Sequence, residues 1–504
     1  MSAPANPSYR IATPRASVLI GALRGLGYST AAALADIIDN SIAADAGAID
    51  IDFLWNGIAS HVTIRDDGSG MFEHEIEKAM RLGDRDPREE RRPEDLGRFG
   101  LGLKTASFSQ CKRLTVISKR DGAVNAFRWD LDILRESRSD EWRLLVGTDP
   151  SSESLMDLLD SMETGTLVAW EVMDRIILSG FTAQDFLDLI DEVERHLSLV
   201  FHRYLSKERI VIRLNGRKIA PIDPFLTDHP ATWASPPVPI RTPSGKVVAL
   251  GFVLPHRDLI EEKDRQAAGG THGWIAHQGF YVYRNERLLV AGSWLGLGPG
   301  RPWPKDEPHR LARIQLDISN SSDDEWKIDV RKSTARPPPA ARVQLIRLAE
   351  DVRERARRVF AHRGKASVVG SSIPVTQVWV TDRLAKGLRY RIDETHPVVA
   401  AALEDAGGNQ AQIRAMLRTI EETIPVQRIW LDTAEGKETP QTGFVGQPDE
   451  NLTSVLRVMF SNLVKRHGMS AELARERLLH TEPFQNYPGL VASVSDEMDE
   501  GTSQ

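Results

Sequence analysis

Cysteine is nearly absent from this sequence, and its scarcity excludes several kinds of protein. The 504 residues include one cysteine, Cys111, so no disulfide can form within the chain. Such a composition is typical of a reducing compartment. Zinc sites built on Cys-x-x-Cys or Cys/His clusters are excluded as well, because one thiol cannot supply their ligands.

Long apolar runs are also missing. No stretch of about 18 consecutive apolar residues occurs, so no membrane span is predicted. The first residues, "MSAPANPSYRIATPR", lack the apolar segment of a secretory signal peptide. The net charge of −7 argues mildly against a surface that holds nucleic acid permanently, although it leaves room for a local basic patch. The sequence therefore predicts a soluble, cytoplasmic protein.

What the chain does contain is an ordinary globular composition, with 41% hydrophobic and 27% charged residues. At about 150 residues per domain, its length predicts about three domains. Two stretches, "AIDIDFLWNG" and "HVTIRDDG", alternate apolar and polar residues as strands do. The short turn at Asn56 and Gly57 that joins them predicts an antiparallel pair, which argues against a Rossmann-type parallel sheet.

The stretch "LADIIDNSIAADA" has the pattern of an amphipathic helix. Asp36 and Asn40 are four residues apart and therefore share one face of that helix. Two interpretations follow from this stretch alone. The pair either belongs to a solvated helix face, or it faces a ligand.

A second polar stretch, "RDDGSGM", ends the second strand. The carboxylate of Asp66 can accept a hydrogen bond from an exocyclic amine. Gly68 and Gly70 allow the backbone to approach a flat ligand closely. The alternative is a simple acidic turn.

The third stretch, "GRFGLGLKTAS", places glycines before a helix, where exposed N–H groups can bind phosphates. It is not a P-loop, because Leu103 separates Gly102 from Lys104 and no apolar strand precedes it. The charged run before it, "GDRDPREERRPED", is either a solvated loop or a mobile lid. Further on, Thr166 in "TGTLVAWEVMD" either faces a ligand or is an ordinary strand residue.

Taken together, the order and spacing of these motifs resemble the Bergerat-fold or GHKL ATPases, a superfamily that includes gyrase, histidine kinases and MutL proteins. "IIDNS", "DDGSGM" and "GRFGLGLKTAS" are most similar to the MutL-like and MORC-like members. The resemblance is strong over residues 15–175 and weaker to about residue 340. It implies an α+β fold: a two-layer sandwich with a mostly antiparallel sheet, then a transducer-type β-α-β domain and a smaller mixed or helical C-terminal region.

The domain boundaries expected from this resemblance and from the later sequence patterns follow the chain in order. They are an N-terminal arm and helix at 1–30, the ATPase domain at 15–178, a transducer-like domain at 179–340, a basic helix and mixed segment at 341–430, and a linker with a helical region and disordered tail at 431–504.

The resemblance also implies the role of each site residue, with ATP and Mg²⁺ as cofactors. Asn40 would coordinate Mg²⁺, and Asp36 would act as the general base. Asp66 would accept the adenine amino group, while Thr166 would support the adenine end. The remaining ATP-binding positions are expected to be Gly68, Gly70 and Met71 around the base, and Gly97, Gly100, Leu101, Gly102, Leu103 and Lys104 around the triphosphate.

Two positions depart from the family pattern. The general base is usually a glutamate, and Asp36 is shorter by one methylene, or about 1.5 Å of reach. Such a base must lie within about 3 Å of the proton that it takes, or act through a water molecule. Ala43 stands where the family often has an aspartate, so one contact on the ribose or adenine side is not expected here.

A transducer lysine reaches the γ-phosphate in these relatives. In "WKIDVRKSTARPPP" we expect that lysine to be Lys332, which follows a strand-like segment, with Lys327 as the second choice. A cation that touches ATP but not ADP would make the arrangement of the domains depend on hydrolysis.

The resemblance implies an ATP-driven switch that closes two N-terminal regions into a homodimer and acts on DNA or a DNA-processing partner in repair, modification or defence. The alternatives are a nucleotide-sensing scaffold that does not hydrolyse ATP, a chaperone-like ATPase, or a topoisomerase subunit. A histidine kinase is not expected, because no histidine precedes His61. Residues 353–365, with six basic residues and one acid, form either a phosphate-binding patch or a solvated helix face.

Overall fold

The structure is a computed structural model that describes residues 15–361, 376–429 and 450–495. Within these ranges it leaves out residue 26 and residues 84–101, 137–140, 257–258, 271–272, 323–324, 330–331 and 385–386. The chain divides into two compact units, residues 1–363 and residues 364–504. The predicted N-terminal arm and linker fall largely outside the described residues.

The first unit begins with an eight-stranded sheet in the order β5-β4-β3-β6-β2-β1-β7-β8. Its neighbouring strands are antiparallel, except that β1 and β7 run parallel. The predicted α+β class with a mainly antiparallel sheet is therefore confirmed, as is the antiparallel pairing of the first two strands. The strands are β1 (Ala48–Leu54), β2 (His61–Asp66), β3 (Arg113–Arg120), β4 (Ala123–Asp130), β5 (Leu145–Val146), β6 (Gly165–Glu171), β7 (Val211–Leu214) and β8 (Arg217–Lys218).

Helices cover this sheet because its strands present apolar side chains to them. In β1, Ile49, Ile51 and Phe53 are buried and alternate with more exposed residues. They share one hydrophobic core with apolar residues of α1, α2, α4 and α6. The helices of this part are α1 (Ala16–Arg24), α2 (Thr30–Ala43), α3 (Glu73–Met80), α4 (Gly102–Phe108), α5 (Leu131–Glu136), α6 (Ala183–Val200) and α7 (His202–Ser206).

The boundary between the first two domains differs from the prediction. Helix α6 and strands β7 and β8 lie within the range 179–340 that is expected to form the transducer-like domain. Instead, β7 pairs with β1, and α6 packs on α2. The turn at Asn215 and Gly216 joins β7 to β8, with φ of 48° and 78°. These values are typical of a tight hairpin turn.

A second, six-stranded sheet follows in the same unit, in the order β10-β11-β14-β12-β13 with β9 paired to β11. A long helix, α10 (Pro339–Ala361), packs against this sheet. The other elements are β9 (Trp233–Ala234), β10 (Val238–Thr242), β11 (Gly245–Val253), α8 (Glu262–Gly269), α9 (Gly273–Ala276), β12 (Gly279–Arg284), β13 (Arg287–Ser293) and β14 (Ala312–Ile318).

The described part of the basic segment 353–365 belongs to α10 and has structural contacts. Arg353 is buried, and its guanidinium carbon lies 4.6 Å from the ring centroid of Trp294. Arg355 lies 4.4 Å from the ring centroid of Trp233. Arg353 therefore packs within the second sheet region and is not part of a solvated helix face.

The second unit has a two-stranded sheet and several short helices around its own apolar clusters. Its elements are β15 (Trp379–Leu384), β16 (Gly387–Ile392), α11 (Pro397–Asp405), α12 (Gln410–Glu422), α13 (Glu450–Ser461), α14 (Ala471–Leu479) and α15 (Pro488–Ser493). Every helix within the described residues of the chain is too short or too polar to cross a bilayer.

Candidate functional site

Helix α2 carries the polar residues at the centre of the candidate site. Ser29 caps its N-terminus by accepting a hydrogen bond from the Ala32 N–H, and packing against α4 and α6 buries most of its surface. Asp36 and Asp39 are only 4% and 2% exposed, whereas Asn40 is exposed. Burying two carboxylates on an apolar helix face costs free energy unless cations or hydrogen-bond donors compensate their charge.

That compensation comes from residues far along the chain. The ammonium of Lys332 lies 2.9 Å from Asp36 Oδ1 and 2.5 Å from Asp39 Oδ2. Arg287 donates from Nε to Asp39 Oδ1 at 2.9 Å, and its Nη2 lies 3.5 Å from Asp36 Oδ1. Two carboxylates of the first sheet region therefore face two cations from the second sheet region.

The electrostatics of this cluster follow from burial and charge. Burial disfavours the ionised form of Asp39, but the charges of Arg287 and Lys332 outweigh it and lower the pKa of Asp39 below its ordinary value. The hydroxyl of Tyr28 donates to Asp36 Oδ2 at 3.0 Å. Burial, and then the charge of Asp36, raise the pKa of Tyr28 well above its ordinary value, so Tyr28 is a hydrogen-bond donor here.

Lys332 sits in a turn built around Asp329. The Lys332 N–H donates to the Asp329 carbonyl at 3.0 Å, and Asp329 Oδ1 accepts from the N–H groups of Ser333 and Thr334 at 2.7 and 2.8 Å. Lys332 itself has a φ of 54°, a conformation that is uncommon outside glycine and is often found at functional sites. Lys327, the second choice from the sequence, is exposed.

Asp66 lies at the end of β2, close to the C-terminal part of α2. Its Oδ2 accepts a hydrogen bond from Ser41 at 2.7 Å, and its Oδ1 accepts from the Gly68 N–H at 3.0 Å. Burial raises the pKa of Asp66 and outweighs these two hydrogen bonds. A buried carboxyl group that is held in this way can still accept a further hydrogen bond from an amine.

The two glycines after Asp66 are required by the protein's own packing. A Cβ on Gly68 would lie 2.9 Å from the Cβ of Ala44. A Cβ on Gly70, where φ is 64°, would lie 2.1 Å from the carbonyl oxygen of Lys119. In the sequence analysis these glycines were interpreted as allowing close approach to a ligand. Contacts within the fold already exclude a side chain at both positions.

Ser118 links the glycine turn to the neighbouring strand. Its hydroxyl accepts from the Met71 N–H at 2.8 Å and lies 2.9 Å from the hydroxyl of Thr166. Thr166 is directly opposite Asp66 in the pairing of β6 with β2. The structure thus brings Asp66, Met71 and Thr166 together.

The glycine-rich segment before α4 is described only in part. Gly97, Gly100 and Leu101 lie outside the described residues, whereas Gly102 and Leu103 begin α4. The ammonium of Lys104 is turned inward and donates to the carbonyls of Ala79 and Arg81 at 2.9 and 3.0 Å. In this arrangement Lys104 stabilises the C-terminal end of α3, and it would have to leave those carbonyls to reach a phosphate.

Asn40 is the residue best suited to a metal ion. Its amide nitrogen donates to the Asp36 carbonyl at 3.0 Å, so its amide oxygen remains available. Within the described residues no cluster of three or more His, Cys, Asp or Glu side chains could enclose a metal. This donor set suits Mg²⁺, which is commonly bound through one or two protein oxygens together with substrate phosphates and water.

Several residues of this site were missed by the sequence interpretation. The sequence shows Asp39 as a second acid next to Asn40, but it does not show that Arg287 pairs with it. Arg287 is 248 residues from Asp39, and no local pattern connects the two. Tyr28, Ser41 and Ser118 act through side-chain hydrogen bonds to distant residues, and such bonds leave no periodic signal in a sequence.

Comparison with known proteins agrees with this geometry. Residues 28–166 match a family model described as "Histidine kinase-, DNA gyrase B-, and HSP90-like ATPase". An alignment 231 positions long, which covers 38% of this chain and 27% of the relative, shows 31% identity to "ATPase morc-1" of Caenorhabditis elegans. The chain therefore spans about a quarter of the length of this relative.

Proposed function

We propose that the protein binds Mg-ATP, hydrolyses it slowly, and uses the cycle as a molecular switch, because residues 28–166 match the model of the histidine kinase-, gyrase B- and HSP90-like ATPases. The main support is the contact between Lys332 of the second sheet region and Asp36, which lies 296 residues away and on the same helix face as Asn40. A nucleotide bound at this meeting point would be in contact with both regions.

The proposed reaction assigns one task to each residue. Asp36 accepts a proton from the attacking water, whose oxygen bonds to the γ-phosphorus while the bond to the bridging oxygen of ADP breaks. Mg²⁺ held by Asn40 would neutralise charge on the phosphate oxygens. Asp66 accepts a hydrogen bond from the adenine amino group. Thr166 supports the base, and the glycine-rich segment together with Lys104 contacts the triphosphate.

Lys332 would couple the second sheet region to the state of the nucleotide, ATP or ADP. Its ammonium is shared by Asp36 and Asp39, and we propose that it moves from these carboxylates to the γ-phosphate of ATP. ADP offers no such partner, so the lysine returns after hydrolysis. A ligand shifts a conformational equilibrium only through contacts that differ between two states, and this lysine supplies one.

The larger assembly in this proposal is a homodimer closed by ATP that acts on DNA or on a DNA-processing partner. The named relative and the domain type support this assignment. A second candidate is a nucleotide-sensing scaffold without turnover. It is favoured by the short side chain of Asp36, whose Oδ1 and Oδ2 are already engaged by Lys332 and Tyr28.

A single-turnover experiment distinguishes the two. Asp36→Asn should retain Mg-ATP binding and lose phosphate release by about a hundredfold or more, the usual contribution of a general base. Asn40→Ala should weaken Mg-ATP binding itself, measured by calorimetry. The control is Asp52→Asn, the same substitution at an exposed position of β1, which should match the wild-type protein.

The outcomes separate cleanly. If Asp36→Asn releases phosphate at the wild-type rate, hydrolysis by this base is wrong and the scaffold is supported. If the folded wild-type protein does not bind adenine nucleotides in the presence of Mg²⁺, the whole proposal fails.

A further inference from the structure

Arg287 is the second cation at the α2 carboxylates and has no role in the reaction as proposed above. It is 4% exposed and begins β13 directly after a tight turn, in which Asn285 and Glu286 have φ of 47° and 67°. Its Nε donates to Asp39, and its Nη1 donates to the Leu288 carbonyl at 3.1 Å. The guanidinium is thus fixed by a strand, a turn and two hydrogen bonds.

Lys332 is held in a different way. Its ammonium sits between two carboxylates at the end of a flexible side chain, in a turn outside the strands. Arg287 pairs across the β12–β13 ladder with Arg284, and its guanidinium carbon lies 6.0 Å from the ring centroid of Phe201. A planar guanidinium in such a place is pre-organised, whereas a lysine ammonium is a mobile point charge. Arg287 is therefore held in place beside the two carboxylates, whereas the Lys332 ammonium is able to move away from them.

The departure of Lys332 would change the balance of charge around α2. With both cations present, two carboxylates face two positive groups. Once Lys332 has moved to a γ-phosphate, Arg287 is the cation that still contacts Asp36 and Asp39. A buried charge that loses its partner is strongly destabilising, so α2 would shift or take up water unless Arg287 held it.

We propose that Arg287 is a positioning residue for ATP hydrolysis, which holds Asp39 and the Oδ1 side of Asp36 in place while Lys332 engages the γ-phosphate. Tyr28 fixes the other side, since its hydroxyl donates to Asp36 Oδ2. The carboxylate of the base is then oriented from two directions at the moment of reaction. This inference rests on the proposed function, because it concerns the base of the same reaction.

The experiment compares three variants of the full-length protein: Arg287→Lys, Arg287→Gln, and the double variant Arg287→Gln with Asp39→Asn. Each is measured for Mg-ATP affinity by calorimetry, for single-turnover phosphate release, and for thermal melting. We expect Arg287→Lys to fold and bind Mg-ATP like the wild-type protein but to release phosphate about tenfold more slowly, because a mobile ammonium does not hold the two carboxylates in the fixed orientation that the planar guanidinium gives them.

The double variant separates positioning from stability. Removing both partners of a buried pair leaves no unpaired charge, so the melting temperature should recover relative to Arg287→Gln. The rate should stay low, because the neutral pair no longer orients Asp36. A merely structural role for Arg287 predicts that rate and melting temperature recover together, which would overturn the inference.

A matched control and a test of the premise complete the design. Arg209→Lys changes an exposed arginine that pairs with Glu286 of the same turn at 3.1 Å, and it should leave all three measurements unchanged. A wild-type rate in folded Arg287→Lys overturns this inference alone. A wild-type protein that binds Mg-ATP but never releases phosphate overturns the proposed hydrolysis, and this inference with it.

Discussion

At the scale of single residues, the proposed general base of this site is an aspartate, whose side chain is one methylene shorter than that of glutamate. Asp36 is held at Oδ1 by Lys332 and at Oδ2 by Tyr28, at 2.9 and 3.0 Å. A carboxylate oriented from both sides has less freedom to compensate for its shorter reach. Slow hydrolysis, or hydrolysis through an intervening water molecule, is the physical consequence that we expect.

Gly70 gives a prediction at the same scale. A Cβ at this position would lie 2.1 Å from the Lys119 carbonyl oxygen, in a backbone conformation with φ of 64°. Gly70→Ala should therefore lower the free energy of unfolding by about 2 kcal/mol or more, from positive-φ strain and the clash together. Denaturant unfolding measures this loss, and Mg-ATP affinity should fall because Met71 would be displaced.

The matched control is Gly21→Ala in α1, where an added Cβ meets no atom within 4 Å. Alanine is favoured over glycine within a helix by up to about 1 kcal/mol, so this variant should be as stable as the wild-type protein or slightly more so. Equal stability of Gly70→Ala and Gly21→Ala would contradict the steric account of the turn.

At the scale of secondary-structure elements, α7 contacts the second sheet through a buried histidine. His202 is 7% exposed, and its Nε2 lies 2.8 Å from the hydroxyl of Tyr283 in β12. Arg203 stacks on the same tyrosine, 3.5 Å from the ring centroid. Burial lowers the pKa of His202 from 6.5 to about 4, because a charged imidazole would be poorly solvated there.

The lowered pKa predicts acid sensitivity. Between pH 6.5 and 4 the unfolded chain binds a proton at His202 that the folded protein does not, so stability falls as the pH falls. The full contribution is about 3 kcal/mol. It is present above pH 6.5 and is lost by about pH 4. Melting temperatures of the wild-type protein and of His202→Gln across this range test the prediction.

His202→Gln should lose less stability than the wild-type protein as the pH falls, because glutamine cannot take up the proton but can still hydrogen-bond to Tyr283. At pH 8 the imidazole is neutral in both folded and unfolded states, so any difference measured there reports packing alone. If the melting temperatures of the two proteins fall in parallel from pH 8 to pH 4, His202 does not cause the loss of stability in acid.

At the scale of the whole molecule, the first unit is one compact body in which two sheets meet through charged side chains. Lys332 and Arg287 contact α2 over sequence separations of 296 and 251 residues from Asp36. A change in the nucleotide bound near α2 would therefore act directly on residues of the second sheet region. This arrangement is the basis for expecting that ATP changes how two copies of the chain associate.

The corresponding prediction concerns oligomeric state. Sedimentation velocity should show a shift from monomer to dimer when a non-hydrolysable ATP analogue and Mg²⁺ are added, and no such shift with ADP. Asn40→Ala, which should not hold Mg-ATP, should remain monomeric under the same conditions. An unchanged monomer mass for the wild-type protein at saturating analogue would rule out the proposed dimer closure.

Much of the site is encoded locally and could be predicted from the sequence. The spacing of Asp36 and Asn40 places them on one helix face, and Asp66 with its two glycines marks the end of a strand. Helical and strand periods are set by a few neighbouring residues, so such groupings are visible in sequence. The antiparallel pairing of β1 with β2 follows in the same way from a short connection.

Other features were decided only by the tertiary structure. No local pattern predicts the pairing of Arg287 with Asp39, the inward turn of Lys104, the place of β7 in the first sheet or the packing of α6 on α2. By itself the sequence determined which elements form and which polar residues share a face. The packing of two sheets determined which charges meet, because buried carboxylates require counter-charges and any part of the chain that the fold brings near can supply them.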